Sequence, residues 1–196
     1  MLFHNYLEGI LGSKVKVKLV RALLKNPNRV YSGRELARQI QEISHMAVFK
    51  SLKDLVAFNL VKLEYHGGIQ LIRINKKSYL YKPLKSIFYY ESITRNKLIK
   101  LIKKTFSKYK EIEAIILFGS ISRGNESIDS DIDLLIITKD KDKISDIVAD
   151  YQKKITEKFG NVMSATIMTG EEYEKKQNLR LIKYIKKEGI LVLGKI

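Results

Sequence analysis

A glycine-serine pair and two aspartates lie close together between residues 115 and 137, where the sequence reads IILFGSISRGNESIDSDIDLLII. The pair is Gly119-Ser120, and the aspartates are Asp131 and Asp133. Because apolar runs open and close the segment, we expect two buried strands around a polar turn. Side chains two residues apart on a strand point to the same face. The two carboxylates should therefore lie side by side, with their Cα atoms about 6–7 Å apart.

The chemistry that suits these residues is the binding of a metal-bound phosphate. Two neighbouring carboxylates repel each other unless a cation lies between them. Mg²⁺ takes one or two carboxylates and completes its shell with water and substrate phosphates. A turn that opens a helix offers free backbone N–H groups to an anion, and the hydroxyl of Ser120 adds a donor.

Other motifs with similar spacing fail in this segment. An EF-hand loop that begins at Asp129 would have Leu134 where glycine is required and Asp140 where glutamate is required. A P-loop would need Lys-Ser or Lys-Thr after Gly124, where the chain has Asn125-Glu126. A solvated acidic turn would explain one aspartate, but not two on one face that lead into a buried strand.

The pattern resembles the nucleotidyltransferase superfamily of the DNA polymerase β-like enzymes, and most closely its minimal nucleotidyltransferases. The resemblance covers about residues 86–196 and includes Arg123-Gly124 and Ser130. It implies that Gly119, Ser120 and Arg123 bind the phosphates of a nucleoside triphosphate. It also implies that Asp131 and Asp133 bind Mg²⁺ or Mn²⁺ and act as the catalytic carboxylates. The implied reaction is transfer of a nucleoside monophosphate to a hydroxyl.

One departure from the family pattern separates binding from transfer. Active members carry a third carboxylate on a later, adjacent strand, and the candidate strand here, residues 161–169, has no acid. Ser164 and Thr166 occupy it instead, and a hydroxyl is a poor replacement for an anion at Mg²⁺. Glu171 and Glu172 follow at a predicted helix start, where acids are expected from the helix dipole alone. The sequence leaves transfer and simple nucleotide binding both open.

Composition indicates an anionic partner. The chain has 196 residues, with 37 Lys and Arg against 21 Asp and Glu, for a net charge of +16. Such a basic protein favours nucleic acid as a partner. There is no cysteine, no apolar run long enough to span a bilayer and no signal-peptide pattern, so we expect a soluble cytoplasmic protein.

The first half of the chain has its own pattern, helix, helix, helix and hairpin. Apolar spacing predicts a helix over residues 15–24, and Ser32 with Glu35 forms a capping box for a second helix. After a turn at Gln41–Ile43, Ser44 caps a third helix that runs to about residue 59. Two strands are predicted on either side of His66-Gly67-Gly68, over residues 60–65 and 69–74.

This order resembles the winged helix-turn-helix of archaeal and bacterial transcription regulators, over about residues 10–82. In that resemblance the third helix enters the DNA major groove and the hairpin, or wing, lies near phosphates. Residues 1–82 hold 15 Lys and Arg against 5 Asp and Glu, which favours DNA contact. Winged helices also serve as dimerisation or protein-docking modules, and the sequence leaves that interpretation of the N-terminal half open. The implied DNA-binding residues are Ser44, His45, Met46, Phe49, Lys50, Lys53 and Arg73.

We therefore expect two domains, a winged helix-turn-helix over residues 1–85 and a minimal nucleotidyltransferase over residues 86–196. The second should be a mixed α/β sheet with helices packed on it. Its predicted helices cover residues 92–108, 142–159 and 171–188, and its predicted strands cover residues 114–118, 132–138, 161–168 and 190–193.

Three functions fit this organisation. The first is Mg²⁺-dependent nucleotidyl transfer from a nucleoside triphosphate. The second is DNA-binding regulation by a protein whose transferase domain senses a nucleotide. The third is a role in a toxin–antitoxin module with a small helical partner, since many minimal nucleotidyltransferases have one. Homodimerisation would accompany recognition of a symmetric operator.

Overall fold

The computed structural model describes residues 7–40 and 44–195, and of residues 9, 10 and 45 it describes only the backbone. The chain forms two compact units that divide between Ser92 and Ile93. The predicted turn at Gln41–Ile43 lies outside the described residues.

Within its described residues, the N-terminal unit has five helices and a small antiparallel sheet. Two residues start its longer helices with side-chain caps: Ser13 accepts from the N–H of Lys16, and Ser44 accepts from the N–H of Ala47. The sheet has the strand order β1-β3-β2. The elements are α1 (Leu7–Ile10), α2 (Lys14–Lys25), β1 (Tyr31–Ser32), α3 (Gly33–Ile40), α4 (His45–Ala57), β2 (Val61–His66), β3 (Ile69–Ile74) and α5 (Tyr81–Ser92).

Local sequence signals explain the start of α3 and the hairpin. The capping box is confirmed, since Glu35 N–H donates to the Ser32 hydroxyl at 3.2 Å and Ser32 N–H donates to the Glu35 carboxylate at 2.8 Å. The hairpin turns through Gly67 and Gly68, whose φ values are +53° and +77°. Glycine is favoured at both positions because side chains disfavour positive φ.

Helix α5, which the sequence analysis did not predict, contains Pro83 in its first turn. Proline is tolerated in the first helical turn, where its missing N–H would have no partner within the helix. Phe88 of α5 is buried in the core of the N-terminal unit. Arg21 of α2 forms ion pairs with Glu91 of α5 at 3.0 Å and with Glu8 at 2.6 Å. These contacts join α5 to the N-terminal unit.

The C-terminal unit is a four-stranded mixed sheet with the order β6-β5-β4-β7. Strand β4 pairs antiparallel with β5 and β7, and β5 pairs parallel with β6. The predicted mixed α/β architecture is confirmed. The elements are α6 (Thr94–Phe106), β4 (Ile112–Phe118), α7 (Gly119–Arg123), β5 (Ile132–Thr138), α8 (Lys141–Phe159), β6 (Met163–Met168), α9 (Gly170–Lys175), α10 (Arg180–Glu188) and β7 (Ile190–Gly194).

Helices cover both faces of this sheet, which explains the continuous apolar runs over residues 114–118 of β4 and 134–137 of β5. On one face, Ile115, Leu117, Leu134 and Ile136 pack with buried residues of α6 and α8. On the other face, alternate residues of the same strands pack with buried residues of α9 and α10, namely Ala114, Ile116, Leu135 and Ile137 with Tyr173, Ile182 and Ile185. Because side chains alternate along β5, Asp133 belongs to the face of α9 and α10.

One predicted helix is two in the structure. The pattern over residues 171–188 predicted a single element, but α9 ends at Lys175 and α10 begins at Arg180. Leu179 has the extended backbone of an N-cap, with φ −64° and ψ 140°, and this interrupts the helix. Within the described part of the chain, no helix is both long and apolar enough to cross a membrane.

Candidate functional site

Strand register brings the two halves of the glycine-serine and aspartate pattern together. In the antiparallel pair of β4 and β5, Phe118 lies opposite Asp133. Gly119 follows Phe118 directly and begins α7. The turn and the aspartates, which are separated in sequence by a polar loop, therefore meet at one end of the sheet.

Gly119 and Asp133 are in such close contact that a side chain at position 119 would displace the Asp133 carboxylate. Gly119 has a φ of +78°, and a Cβ atom added to it would lie 2.1 Å from Asp133 Oδ2 and 3.0 Å from its Cγ. Glycine is therefore favoured at position 119 for two reasons, the positive φ and the lack of space for a Cβ atom. The Asp133 carboxylate occupies the space where a Cβ would lie.

The electrostatics of Asp133 indicate a place for a cation. Partial burial is the main cause that raises the pKa of the Asp133 carboxyl, and repulsion from Asp131 raises it further, while Arg123 lowers it. A carboxylate pair of this kind gains from a bound cation, which removes the repulsion. Two carboxylates beside the start of α7 suit Mg²⁺ or Mn²⁺, which would complete their shells with water and phosphate oxygens.

The start of α7 presents backbone donors beside these carboxylates. Phe118, at the N-cap, provides no side-chain hydrogen bond to the first N–H groups of the helix. The Ser122 hydroxyl instead donates to the carbonyl of Gly119 at 2.9 Å, and α7 closes at Gly124 in the left-handed conformation. N–H groups without a cap are suited to an anion. Ser120 is half-buried in this turn.

Two residues that the sequence did not single out support the loop and the turn. The side-chain amide of Asn161, which is buried, donates to the carbonyls of Ser130 at 2.8 Å and Ile128 at 3.3 Å. Arg95 of α6 donates to the carbonyl of Ser122 at 3.3 Å. These contacts fix the loop that ends at Asp131 and the last turn of α7.

Arg123 contacts α10, which no local pattern indicated. Its guanidinium lies 5.3 Å from the ring centroid of Tyr184 and 3.6 Å from Glu188 Oε2, and its Nε donates to Asn125 Oδ1 at 3.2 Å. The Tyr184 hydroxyl is buried without a hydrogen-bond partner in the described residues. Arg123 is thus positioned by α10 while its charge acts on Asp133.

Comparison with known proteins agrees with this geometry. Residues 100–195 match the family described as polymerase beta nucleotidyltransferase. A putative protein adenylyltransferase from Methanocaldococcus jannaschii is 39% identical over 84 residues, which are 42% of this chain and 81% of that relative.

The chain belongs to the nucleotidyltransferase family.

Solved structures add only distant likenesses to this family membership. A toxin–antitoxin protein crystallised with AMP-PNP is 22% identical, with a TM-score of 0.35, over 52% of this chain and 73% of that chain. The archaeal chromatin protein TrmBL2 is 11% identical, with a TM-score of 0.27, over 88% of this chain and 71% of that chain. TM-scores this low support no argument about arrangement or function.

In this nucleotidyltransferase, the strand beside the aspartates has no acidic residue. The parallel register of β5 and β6 places Ser164 next to Asp133 and Thr166 next to Leu135, and both hydroxyl residues are exposed. Glu172 is occupied elsewhere, in a capping box with Thr169 and an ion pair with Lys141 at 2.9 Å. Among the described residues, no three His, Cys, Asp or Glu side chains are grouped as a metal site. The structure therefore presents a two-carboxylate site.

The N-terminal unit of this nucleotidyltransferase presents the predicted DNA-binding residues around α4. Ser44 caps the helix, and Met46, Phe49, Lys50 and Lys53 are exposed on it. His45 lies in the first turn of α4, and its side chain is outside the description. Arg73 on β3 is exposed and forms an ion pair with Glu64 across the hairpin.

A groove lies between the start of α3, helix α4 and the hairpin turn. It has a volume of about 520 Å³ and is lined by Arg34, Phe49, Gly68, Ile69 and Gln70, among others. Phe49 and Ile69 are 48% and 57% exposed, and Met46 is 81% exposed. The exposed face of α4 therefore combines apolar side chains with lysines.

Proposed function

We propose that the C-terminal unit binds a metal-bound nucleoside triphosphate and transfers its nucleoside monophosphate to a hydroxyl group of a protein. The observation that carries this proposal is the packing of the Asp133 carboxylate against Gly119, at 2.1 Å from an added Cβ. It brings an anionic pair of metal ligands and a turn with free N–H groups to one point. Few ligands other than a metal-bound polyphosphate complement both.

Each residue of the site has a defined role in this proposal. Asp131 and Asp133 would hold Mg²⁺ or Mn²⁺, which neutralises phosphate charge and polarises the α-phosphate when bound. The N–H groups of Gly119 and Ser120, with the Ser120 hydroxyl, donate to the terminal phosphates. Arg123 donates to the same oxygens from the end of α7, and its fork-shaped guanidinium suits bidentate contact.

In the proposed reaction, the acceptor oxygen attacks the α-phosphorus. A new phosphorus–oxygen bond forms while the bond to the oxygen that bridges the α- and β-phosphates breaks, and pyrophosphate leaves. Because hydroxyl residues stand beside Asp133 on β6, the acceptor proton passes to solvent rather than to a third carboxylate. Transfer should therefore be slow at neutral pH and faster as the acceptor hydroxyl ionises.

The M. jannaschii relative supports a protein acceptor and adenine as the base of the nucleotide. That protein is described as a putative protein adenylyltransferase, and its similarity to this chain extends over 81% of its length. We therefore expect ATP to be preferred over the other nucleoside triphosphates.

The decisive experiment follows incorporation of α-labelled nucleoside monophosphate into a broad panel of protein, nucleic-acid and small-molecule acceptors, with Mg²⁺ or Mn²⁺. Labelling should disappear with Asp131→Asn and persist with Asp129→Asn, an exposed aspartate of the same loop outside the pair. Nucleotide binding without labelling of any acceptor would defeat the proposal.

A second function is favoured by the exposed Ser164 and Thr166 and by the order of elements in the N-terminal unit. We propose that this unit is a winged helix-turn-helix that binds DNA through α4 and the hairpin, while the C-terminal unit senses a nucleotide. In this case a nucleoside triphosphate changes the affinity for DNA and is recovered intact. DNA affinity that is unchanged by any nucleotide, or insensitive to salt, would rule this function out.

A further inference from the structure

Helix α6 of the C-terminal unit carries an uninterrupted cationic surface. Residues 94–110 contain seven Lys and Arg and no Asp or Glu. Its buried face is Leu98, Ile102 and Phe106, and four lysines at helical spacing lie along the opposite, exposed side. We refer to Lys97, Lys100, Lys104 and Lys108 as the lysine stripe.

Lys100 and Lys104 of this stripe lack the acidic neighbours that lysines have on α8. On α8, Lys154 has Asp150 four residues before it and Glu157 three residues after it, so opposite charges share one helix face. Lys100, Lys103 and Lys104 form no ion pair within residues 7–40 and 44–195. Concentrated positive charge of this kind is unfavourable by itself and gains from a polyanion.

Tyrosines stand at the C-terminal end of the stripe. Lys108 Nζ lies 3.1 Å from the Tyr151 hydroxyl and 5.0 Å from the ring centroid of Tyr109. Lys154 Nζ lies 4.9 Å from the ring centroid of Tyr151. Both rings are half-buried, and Phe106 supports them from the core at centroid distances of 6.4 and 5.7 Å.

We propose that the lysine stripe with Tyr109 and Tyr151 binds single-stranded nucleic acid, independently of the nucleotide site. Lys97, Lys100 and Lys104 span about 10 Å along α6, at a rise of about 1.5 Å per residue. Lys108 follows two residues after the helix ends at Phe106. The four ammonium groups of the stripe can follow consecutive phosphates, and the tyrosines can stack bases at its end. A stacked base would displace a lysine from the tyrosine ring, and that lysine would move to a phosphate.

The tyrosines distinguish this partner from a simple polyanion. An acidic peptide would use the lysines alone and leave the rings in their present lysine contacts. A duplex keeps its bases paired and stacked, so it also gains nothing from the rings. Base-dependent affinity is therefore the specific expectation.

The test measures fluorescence anisotropy of the full chain with labelled oligouridine and oligothymidine of about ten nucleotides, the scale of known single-strand sites. Four phosphate contacts predict that affinity falls about 50-fold between about 50 and 200 mM salt. Lys100→Gln with Lys104→Gln and Lys108→Gln should reduce that fall to about threefold. A matched triple variant, Lys158→Gln with Lys183→Gln and Lys187→Gln, removes equal charge from exposed sites and should behave as the wild type.

Two further variants separate the proposal from its competitors. Tyr151→Leu should weaken oligouridine but leave heparin binding unchanged, because heparin has no bases. Lys50→Gln with Lys53→Gln should leave oligouridine binding intact, because those lysines belong to the N-terminal unit. In the variant with Lys50→Gln and Lys53→Gln, binding of polyglutamate or duplex DNA as tight as that of oligouridine would overturn the proposal, and so would no effect of Tyr151→Leu. So would oligouridine binding that is lost with Lys50 and Lys53 instead of the stripe.

Discussion

In the C-terminal unit, functional side chains are fixed by strand register, whereas in the N-terminal unit they are displayed on the outside of a helix. Asp133 is half-buried and packed on Gly119, and its position follows from the pairing of β4 with β5. Lys50 and Lys53 are exposed and project from α4. A site that is fixed by strand register should lose most of its ligand affinity on a single substitution, because its groups share one geometry. A displayed surface should lose affinity in small increments, because each cation acts separately.

The sharpest test of register is Gly119→Ala. The new methyl would displace the Asp133 carboxylate, so affinity for a non-hydrolysable ATP analogue with Mg²⁺ should fall about 100-fold, the upper end for a residue that orients a metal ligand. Titration calorimetry measures this loss.

The matched control is Gly124→Ala. Gly124 also has a positive φ, +74°, but its added Cβ would meet only Arg95 Nη1, at 3.7 Å. Both variants should lose about 1–2 kcal/mol of stability from backbone strain, but only Gly119→Ala should lose affinity for the nucleotide. An equal loss of nucleotide affinity in both variants would show that backbone strain causes the effect. It would contradict a role for the contact between Gly119 and the Asp133 carboxylate.

The Ser164→Asp substitution tests whether an aspartate on β6 can act as the general base that the site lacks. Ser164 lies beside Asp133 in the parallel pair, so an aspartate there should accept the acceptor proton. Transfer near neutral pH should rise about tenfold, below the 10²–10⁴ of an evolved base, and should depend less on pH. Initial rates across a pH series measure both effects. Thr166→Asp, one pair further from Asp133 on the same face, is the control, and an equal gain there would contradict a register-specific effect.

Lys50→Gln with Lys53→Gln examines the displayed surface. Affinity for mixed-sequence duplex DNA should fall about tenfold, and the slope of log affinity against log salt should decrease by about 2. Each single variant should give roughly half of that slope change. Lys77→Gln with Lys82→Gln removes equal charge from exposed positions of the same unit and should change little. An all-or-none loss with one substitution would break the contrast between the two units.

Arg123→Lys measures a contact that lies between these extremes, since Arg123 is partly exposed but is positioned by Tyr184 and Glu188. Lysine keeps the positive charge but lacks the forked guanidinium that makes bidentate contacts. Nucleotide affinity should therefore fall about fivefold, the equivalent of one hydrogen bond. Arg180→Lys, at an exposed position of α10, is the matched control. Unchanged affinity would exclude Arg123 from the phosphate site.

The smallest effect concerns stability without metal. Burial and Asp131 raise the pKa of Asp133 in the folded state, so its ionised form disfavours folding as pH rises through that pKa. Asp133→Asn should therefore increase the Tm at neutral pH by at most about 3 °C, equivalent to about 1 kcal/mol after solvent screening. The gain should vanish below about pH 4, the ordinary range of an aspartate, where both states are protonated. Thermal melts in chelator check this sign, and a lower Tm for the variant at neutral pH would contradict it.

Much of the local structure could be predicted from sequence because its causes are local. The capping box of Ser32 and Glu35 and the Gly67-Gly68 turn depend on residues at most three positions apart. Strand β5 was predicted with its observed bounds, Ile132–Thr138, because its continuous apolar run, residues 134–137, is typical of a strand buried on both faces. The interruption between α9 and α10 was missed, because the apolar spacing continues through it.

The sequence by itself determined which groups the site contains: Gly119, Ser120, Asp131 and Asp133, with hydroxyls instead of an acid on the next strand. Only the tertiary structure decided how they meet. The contact of Asp133 with Gly119 and the position of Arg123 against Tyr184 and Glu188 join segments that are far apart in the chain. Such contacts follow from register between strands and from packing of helices on the sheet. A periodicity within one segment carries no information about either.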